Sequence, residues 1–470
     1  MKDRNEMKPV RLMIVAGEIS GDLHAAALVR ELRLMVAATS PSPSKNTHDG
    51  DGDVAATLEL YGIGGDRLKA EGMEVLEHCS RTGVMGFWEV FKRARFFLRL
   101  IKRTERLLDE RRPDVLLTVD FISFNMRLAK RARARGIPVV HYVCPQVWAW
   151  KRGRIPEYAK LMNRLLVMFP FEVDLWKGTG LDVVFTGHPL VDRAEESRKD
   201  TATVLPWGKG LERSKVEGRK VEGDSTMNVP PEAIQSLTPS PYPLTPARCG
   251  TSSPEATTYR IALFPGSRRM EVERHLPVMM AAALLIERRL GECHFVIPAP
   301  TDAVEKQINA ILAGIRSSCR VSVVRADSRV ALRDADAAIV KSGTSTLEAA
   351  LMGCPHVIVY KGSALSAWII RQLIQIPFVG LPNIVAGRRI CLELLQHDFT
   401  PEKVAEEISR LVLDAPVRDR IKRDMAEVTA LLGDGGASVK AAQAVADFLR
   451  QQSTAIECSR VQSNAVDKIP

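Results

Sequence analysis

The sequence lacks three features that would have placed it quickly in a structural class. Its eight cysteines are scattered singly, with no CxxC pair, so we expect reduced thiols and no structural zinc site. No uncharged apolar run reaches the roughly 18–20 residues that a membrane-spanning helix needs. The first ten residues are too charged for a secretory signal. The expectation is a cytosolic protein that meets any membrane only from one side.

The common nucleotide and nucleophile motifs are also missing. The loop Gly17–Asp22 follows a short apolar run, but it is not G-x-G-x-x-G, a Walker loop or G-x-S-x-G. Dinucleotide-binding, NTPase and esterase interpretations therefore lose support. Ser20 or Asp22 in this loop can cap the helix that follows. Helix capping does not explain Glu18 beside them.

Length and composition predict two α/β domains. The chain has 470 residues, of which 46% are hydrophobic, enough for two sizeable cores. We expect a Rossmann-like domain over residues 1–196 and a second over 259–450. A Ser/Thr/Pro-rich, disordered linker is expected between them, over 197–258, and a disordered tail over 451–470. The net charge of +10 suggests acidic partners such as phosphates, anionic lipid or nucleic acid.

Two strand–turn–helix segments in the second half are suited to binding phosphate. One apolar run ends in Pro265–Ser267 and continues into a charged helix that starts with Arg268 and Arg269; another ends in Ser342–Thr344. Backbone N–H groups at a helix N-terminus favour an anion, and a guanidinium adds a forked donor. Either segment alone could be an ordinary turn with surface arginines. Two in one half predict a phosphorylated ligand, and hence a nucleotide-sugar enzyme.

A buried strand in the first half ends in a carboxylate. Asp120 follows the apolar run that starts at Pro113, so it should lie at the carboxyl edge of a parallel sheet, where open α/β folds place their chemistry. The alternative is an aspartate that caps the next helix. A later strand opens into an aromatic loop with Gln146 as its polar group. His188 either contacts a ligand or is a hydrogen-bonded turn residue, and the second is favoured.

Residues 84–103 predict an amphipathic helix of unusual composition. Its basic residues recur at helical spacing on one face, and aromatic and aliphatic residues line the adjoining face. Such a helix suits an anionic membrane surface. The alternative is a core-packed helix with a solvated basic face. The residues assigned to membrane docking are Phe87, Trp88, Phe91, Lys92, Arg95, Phe96 and Arg99.

Eight motifs together resemble the lipid-A-disaccharide synthase family, in the family's order: GEISGD, VMGFWEV, TVD-x-x-x-FN, PQVWAW, GHP, PGSRRMEVE, SGTSTLE and PNIVAGR. The resemblance covers about residues 11–196 and 259–449. It implies the GT-B glycosyltransferase fold, two Rossmann-like halves facing a cleft. It also implies metal-independent, inverting transfer of the sugar of UDP-2,3-diacylglucosamine to 2,3-diacylglucosamine 1-phosphate. The product is a β(1→6) disaccharide and UDP, made at the cytoplasmic face of the inner membrane of Gram-negative bacteria. A homodimer is compatible with the resemblance.

The resemblance also assigns roles to residues. Asp120 matches the family's carboxylate and is the predicted general base for the acceptor 6-hydroxyl, with Glu18 as a second catalytic residue. Ser123 departs from the family's pattern, while Asn125 keeps it. The predicted donor-binding residues are Ser267, Arg268, Ser342, Gly343, Thr344, Glu348, Asn383 and Arg388. The predicted acceptor side comprises Ser20, Asp22, Asn125, Gln146 and Trp148.

Three rival functions have features that separate them from this prediction. A sugar-nucleotide 2-epimerase shares the two-half fold and binds UDP, but it needs neither an acceptor nor an amphipathic helix. A membrane-docked nucleotide sensor needs neither Glu18 nor Asp120. Nucleic-acid binding is disfavoured, because the aromatic residues share a helix with aliphatic ones instead of forming a stacking platform.

Overall fold

The computed structural model describes residues 9–39, 58–82, 94–150, 152–200, 203, 258–315, 317–325, 327–362 and 376–466. The predicted linker therefore lies outside the described residues, apart from 197–200, 203 and 258. Four of the residues assigned to membrane docking also lie outside them: Phe87, Trp88, Phe91 and Lys92.

The first half of the chain forms a seven-stranded parallel sheet with the strand order β3-β2-β1-β4-β5-β6-β7. Its strands are β1 (Val10–Ala16), β2 (Leu58–Gly64), β3 (Glu74–His78), β4 (Val115–Val119), β5 (Val139–Tyr142), β6 (Arg164–Val167) and β7 (Asp182–Phe185). Its helices are α1 (Ile19–Thr39), α2 (Asp66–Ala70), α3 (Cys79–Thr82), α4 (Ala94–Arg111), α5 (Ile122–Arg133), α6 (Val147–Trp150), α7 (Ile155–Ala159), α8 (Pro170–Leu175) and α9 (Leu190–Lys199).

Helices cover both faces of this sheet, which explains why its central strand β4 is buried along its whole length. In β1, Leu12 and Ile14 pack into one core cluster and Met13 and Val15 pack into another on the opposite face. The direction of strand addition reverses between β1 and β4, which pair directly. Ligands of open α/β sheets bind at such a reversal, beyond the carboxyl ends of the strands.

The second half forms a six-stranded parallel sheet with the order β10-β9-β8-β11-β12-β13. Its strands are β8 (Tyr259–Phe264), β9 (Cys293–Pro298), β10 (Arg320–Val324), β11 (Ala337–Lys341), β12 (His356–Tyr360) and β13 (Glu393–Leu395). Its helices are α10 (Arg269–Leu290), α11 (Asp302–Ala313), α12 (Ser328–Asp334), α13 (Thr344–Leu351), α14 (Leu381–Ala386), α15 (Pro401–Leu413), α16 (Ala415–Leu431) and α17 (Ala437–Val466). Here the reversal lies between β8 and β11, which also pair directly.

The two domains exchange a helix. Leu190 and Val191 of α9 belong to the core of the second domain, although α9 follows the last strand of the first. In return, α17 packs against α1, and Val445 and Phe448 lie in a core cluster of the first domain. The Arg164 side chain at the start of β6 donates to the Ala444 carbonyl oxygen at 2.6 Å. These crossings join the two halves, and the sheet edges are near enough for the charge of Arg268 in the second half to act on Glu18 in the first.

The architecture confirms the predicted fold class, but several boundaries differ. α1 begins at Ile19, so Ser20 and Asp22 are inside the helix instead of preceding it. The basic helix is described from Ala94 and continues to Arg111, beyond the predicted end at residue 103. α17 is helical to Val466, where the sequence predicted a disordered tail from residue 451. Within the described part of the chain, no helix has the length and apolarity needed to cross a membrane.

Candidate active site

The first edge of the site is the turn that follows β4. Asp120 and Phe121 have positive φ angles of 49° and 46°, a conformation that costs free energy in residues other than glycine. Hydrogen bonds hold the turn: the Asp120 backbone N–H donates to the Tyr142 carbonyl oxygen at 3.0 Å, and the Asn125 Nδ2 group donates to the Asp120 carbonyl oxygen at 2.7 Å. The fold maintains a strained conformation that turns the Asp120 side chain out of the strand.

Asn125 joins the ends of both central strands. Its Nδ2 group lies 3.3 Å from the carbonyl oxygens of Val15 in β1 and Val119 in β4, and the residue is fully buried. The sequence placed Asn125 on the acceptor side of the site. The structure instead buries it behind Asp120, because its amide satisfies carbonyl groups where the two strands diverge.

Glu18 lies next to Asp120. The ring of Phe121 covers Gly17 so closely that a Cβ atom there would lie 2.2 Å from it, and this contact holds the two turns together. Burial raises the pKa of the Glu18 carboxyl, and the negative charge of Asp120 raises it further, against the opposing charge of Arg268. Burial also raises the pKa of Asp120, while a hydrogen bond from the Phe121 backbone opposes the rise. Two carboxyls with raised pKa values thus share one sheet edge.

The second edge lies around the turns after β8 and β11. A cavity of about 520 Å³ is lined by residues of both turns and by α12 and α13. Ser267, Arg268, Gly343, Thr344 and Glu348, five of the residues predicted to bind the donor, line it. α13 begins at Thr344, and its N-cap residue is Gly343, which has no side chain to cap the helix. Its first backbone N–H groups and its helix dipole therefore favour an anion in the cavity.

A carboxylate already occupies part of this anion-binding edge. The Glu271 side chain accepts hydrogen bonds from the Ser267 backbone N–H at 3.2 Å, the Arg268 guanidinium at 3.1 Å and the Lys341 ammonium at 2.9 Å. The next arginine, Arg269, has a side chain that is 83% exposed and pairs with Glu273 at 2.8 Å outside the cavity. Only the first of the two consecutive arginines therefore belongs to the site.

The lining of the cavity also includes Arg193, Arg329 and Glu348. Arg329 pairs with Asp327, its Nε lying 2.8 Å from Oδ1, whereas Arg193 forms no ion pair with any described residue. Burial, followed by the positive charges of Arg329 and Arg67, lowers the pKa of Arg193. Burial raises the pKa of Glu348, whose carboxylate accepts a hydrogen bond from Ser328 Oγ at 3.3 Å. Glu348 is thus a cavity residue and not a solvated helix glutamate.

Two further residues predicted to contact ligands, Asp22 and Asn383, have structural roles instead. Asp22 is 3% exposed, and its carboxylate accepts from the backbone N–H groups of Gly65, Arg67 and Leu68, at 2.6, 3.2 and 3.2 Å. It therefore caps α2 and does not face the cleft. Asn383 is fully buried, and its amide organises the loop before β13, accepting from Ile390 and Cys391 and donating to Glu393.

Arg388 and Ser342, predicted to bind the donor, also differ from expectation. The Arg388 guanidinium pairs with Asp424 at 2.9 Å and Glu427 at 2.6 Å on α16, and it does not line the cavity. The Ser342 hydroxyl donates to the Val379 carbonyl oxygen at 3.0 Å. Both predictions were wrong for the same reason: the side-chain polar atoms of each residue already bind another segment of the second domain.

The remaining residues predicted for the acceptor side differ in their exposure to solvent. Ser20 and Gln146 are exposed, whereas Trp148 is 6% exposed. Its indole N–H donates to the buried carboxyl of Glu172 at 3.2 Å, so it supports the aromatic loop, in which Gln146 is exposed. Burial raises the pKa of Glu172 to about 7. The predicted turn role of His188 agrees with the structure, since its Nδ1 accepts from the Leu190 backbone N–H at 3.1 Å.

The described part of the basic helix, α4, faces in two directions. Arg95 and Arg99 are exposed, together with Leu98, which is 55% exposed. Phe96, which was assigned to membrane docking, instead packs with Phe97 against a core cluster of the first domain. The two phenylalanines thus form the face of α4 that packs against the core. Arg95, Arg99 and Leu98 form the face exposed to solvent.

Several charged residues of the cavity were not predicted from the sequence, among them Lys341, Glu271, Arg193 and Arg329. Lys341 is the last residue of β11, and the rule that ligands bind at carboxyl strand ends could have found it. Glu271 lies within the recognised PGSRRMEVE segment but resembles an ordinary helix glutamate. Arg193 and Arg329 carry no local signal, because only the packing of α9 and α12 brings them into the cavity. Among the described residues, no group of three or more His, Cys, Asp or Glu side chains is arranged to hold a metal ion.

Sequence comparisons agree with the motifs. A model of the lipid-A-disaccharide synthetase family matches residues 12–205 and 251–448 of this chain. Lipid-A-disaccharide synthases of Myxococcus xanthus and Anaeromyxobacter dehalogenans are 34% identical over 441 residues and 36% identical over 440 residues. Each alignment covers 94% of this chain and 98% of the relative. The chain belongs to the lipid-A-disaccharide synthase family.

Solved structures show the fold that accompanies this family membership. A Listeria monocytogenes protein described as a UDP-N-acetylglucosamine 2-epimerase is similar with a TM-score of 0.53 at 15% identity, over 92% of this chain and 94% of that one. The calicheamicin glycosyltransferase CalG4 is similar with a TM-score of 0.50 at 13% identity, over 95% and 99%. At these identities the likeness shows the GT-B fold alone, so it carries no argument for an epimerase.

Proposed function

We propose that the protein is a lipid-A-disaccharide synthase: an inverting, UDP-dependent hexosyltransferase. It transfers 2,3-diacylglucosamine from UDP-2,3-diacylglucosamine to the 6-hydroxyl of 2,3-diacylglucosamine 1-phosphate, and UDP leaves. Family membership supports the reaction type. The observation that carries the assignment of roles is that a pair of carboxyls, Glu18 and Asp120, lies opposite a cavity lined by cations and a helix N-terminus.

Asp120 is the general base in this proposal. A direct displacement with inversion needs one group to accept the proton of the attacking hydroxyl. As the bond from the acceptor oxygen to the donor anomeric carbon forms, that proton passes to the Asp120 carboxylate, and the bond from the anomeric carbon to the diphosphate breaks. The raised pKa of Asp120 makes it a stronger base than an exposed aspartate.

The cavity of the second domain binds UDP. Arg268, Lys341 and the N-terminus of α13 stabilise the charge that develops on the diphosphate, which is the role of preorganised donors in group transfer. Glu348 accepts hydrogen bonds from ribose hydroxyls. Glu18, whose pKa responds to both Asp120 and Arg268, lies where donor and acceptor meet. Because these donors are protein groups, we propose that the reaction needs no metal.

The direct test follows UDP release from UDP-2,3-diacylglucosamine, with and without 2,3-diacylglucosamine 1-phosphate, in excess EDTA. The proposal predicts release that depends on the acceptor and persists in EDTA, with a β(1→6) disaccharide 1-phosphate as co-product. Release without the acceptor would indicate a hydrolase or an epimerase-like enzyme instead. Loss of release in EDTA, restored by a divalent cation, would refute metal independence.

We also propose that the enzyme works at the cytoplasmic face of the inner membrane, held there in part by α4. Its exposed Arg95, Arg99 and Lys102 surround the exposed Leu98, as expected for contact with anionic lipid. Replacing the three cations with serine should reduce co-sedimentation with anionic vesicles at low salt. The matched control replaces three exposed cations of α16 in the same way: Arg420, Lys422 and Arg423. Equal sedimentation of both variants would contradict the role of α4.

A further inference from the structure

The Glu271 carboxylate lies where an anionic ligand of the cavity would be expected. Its Oε1 atom is 3.1 Å from Arg268 Nη1 and 2.9 Å from Lys341 Nζ, and its Oε2 atom is 3.2 Å from the Ser267 backbone nitrogen. One guanidinium, one ammonium and one backbone N–H at a helix start are the donors that proteins use for phosphate. The Glu271 carboxylate therefore accepts from the three donors that would otherwise be available to a phosphate group.

The turn is built to accept this side chain. Gly266 has a φ of 122°, and a Cβ atom there would lie 2.5 Å from Glu271 Oε2 and 2.7 Å from Glu271 Cβ. Any larger residue at Gly266 would thus displace the carboxylate from the turn. Glu273, two residues along the same helix, instead points outward to Arg269. The position of Glu271 over the turn is specific to this one glutamate of the motif.

The Glu271 carboxyl is ionised at neutral pH. Burial alone would raise its pKa, but the hydrogen bond from Lys341 and the positive charges of Lys341 and Arg268 outweigh burial, so its pKa is below the usual range. A full negative charge therefore stands beside the groups expected to bind the donor. A diphosphate that enters the cavity must compete with the Glu271 carboxylate for the same three donors. The diphosphate and the carboxylate also repel each other, because both carry negative charge.

We propose that Glu271 is an internal competitor for the donor diphosphate, an inference that rests on the UDP site described under Proposed function. Before the donor binds, Glu271 keeps Arg268 and Lys341 oriented towards the turn. When the donor binds, the diphosphate takes over these contacts and the carboxylate turns aside. After transfer, Glu271 returns to its partners and promotes the release of UDP. Its presence lowers the affinity for UDP in exchange for faster turnover.

A different role for Glu271 makes the opposite prediction. If its carboxylate only held Arg268 and Lys341 in place for the ligand, its removal would disorder both cations and weaken UDP binding. The effect of Glu271 on UDP affinity therefore separates a competitor from a support, because the two roles change the dissociation constant in opposite directions.

The experiment measures UDP and uridine binding by titration calorimetry, at fixed ionic strength, for the wild type, Glu271→Gln and Glu273→Gln. Removing the competing charge should lower the dissociation constant for UDP about tenfold in Glu271→Gln. Uridine, which has no phosphate, should bind the same variant with unchanged affinity. Glu273→Gln removes the same charge from the outer face of the same helix and should bind UDP like the wild type.

A second variant guards against a general loss of structure. Glu271→Asp keeps the charge but shortens the side chain by one methylene, so it should also bind UDP more tightly than the wild type, by a smaller factor. Thermal unfolding checks that both variants are folded. Weaker or unchanged UDP binding in folded Glu271→Gln overturns the inference while the UDP site stands. If the wild type itself fails to bind UDP, the proposed donor site fails, and the inference fails with it.

Discussion

The two sheet edges that face each other have the same architecture and opposite chemistry. Each lies where strand order reverses, between β1 and β4 in the first domain and between β8 and β11 in the second. At the first edge, the carboxyls of Glu18 and Asp120 have raised pKa values and form no ion pair within the described part of the chain. At the second, cations and a helix N-terminus whose N-cap residue is a glycine line a cavity.

This difference indicates how the same kind of sheet edge can support either proton transfer or the binding of a diphosphate. A buried carboxyl without a cation holds its proton more tightly and suits proton transfer. Paired cations and backbone N–H groups suit a diphosphate whose charge grows as it leaves. The comparison therefore supports the proposal that the first domain carries out proton transfer and the second binds the leaving group.

The largest expected effect comes from Asp120→Asn, which removes the proposed base and keeps the shape of the side chain. We expect kcat to fall about 10³-fold, within the range for loss of general base catalysis, while the KM for the donor changes little. Asp109→Asn is the control, because Asp109 is a carboxylate of the same domain that pairs with Arg135 at the surface. Retained turnover in Asp120→Asn, measured as UDP release, would remove proton transfer from the first edge.

Asp22→Ala should show that not every carboxylate of the first edge has a chemical role. Three backbone N–H groups of α2 and its cap would lose their acceptor, so we expect a loss of about 3 kcal/mol in the free energy of unfolding. Ser20→Ala, at an exposed position of α1, the helix that contains Asp22, should change the free energy of unfolding by less than about 0.5 kcal/mol. Denaturant titration measures both, and a wild-type midpoint for Asp22→Ala would contradict the structural role.

At the second edge, two neighbouring arginines should behave differently. Arg268 lines the cavity and Arg269 does not. Replacing Arg268 with alanine should weaken UDP binding about 30-fold, the loss expected for a charge-assisted hydrogen bond. Arg269→Ala removes the same charge one residue away and should bind UDP like the wild type. Equal losses in calorimetric titrations of the two variants would mean that only net charge matters here.

The smallest expected effect concerns pH. A base works only when deprotonated, and burial raises the pKa of Asp120, so kcat/KM should decline on the acid side at a higher pH than for an exposed aspartate. Glu18→Gln removes a neighbouring negative charge, which should lower the pKa of the remaining carboxyl. We expect the acid limb to move to lower pH by less than about one unit. A shift to higher pH would show that Glu18 does not repel the base.

The sequence was sufficient for the fold class and for the two strand–turn–helix segments that line the cavity, because both depend on local signals: apolar strands, glycine turns and helix starts. It was insufficient wherever a polar side chain had a choice of partners. Asp22 and Asn383 resembled ligand contacts, yet backbone groups 43 residues away in one case and 7 or 8 in the other use their oxygens. The helix exchange was equally hidden, since nothing local in α9 or α17 says which core each one joins.

The measurement that tests the division of roles most directly is UDP binding by the double variant Glu18→Gln, Asp120→Asn. It removes both carboxyls of the first edge and leaves every cation of the cavity in place. If that edge serves proton transfer alone, the double variant should be inactive and should bind UDP with wild-type or slightly higher affinity. A loss of UDP affinity of about tenfold or more in the folded double variant would contradict the division, because the carboxyls would then be part of the donor site.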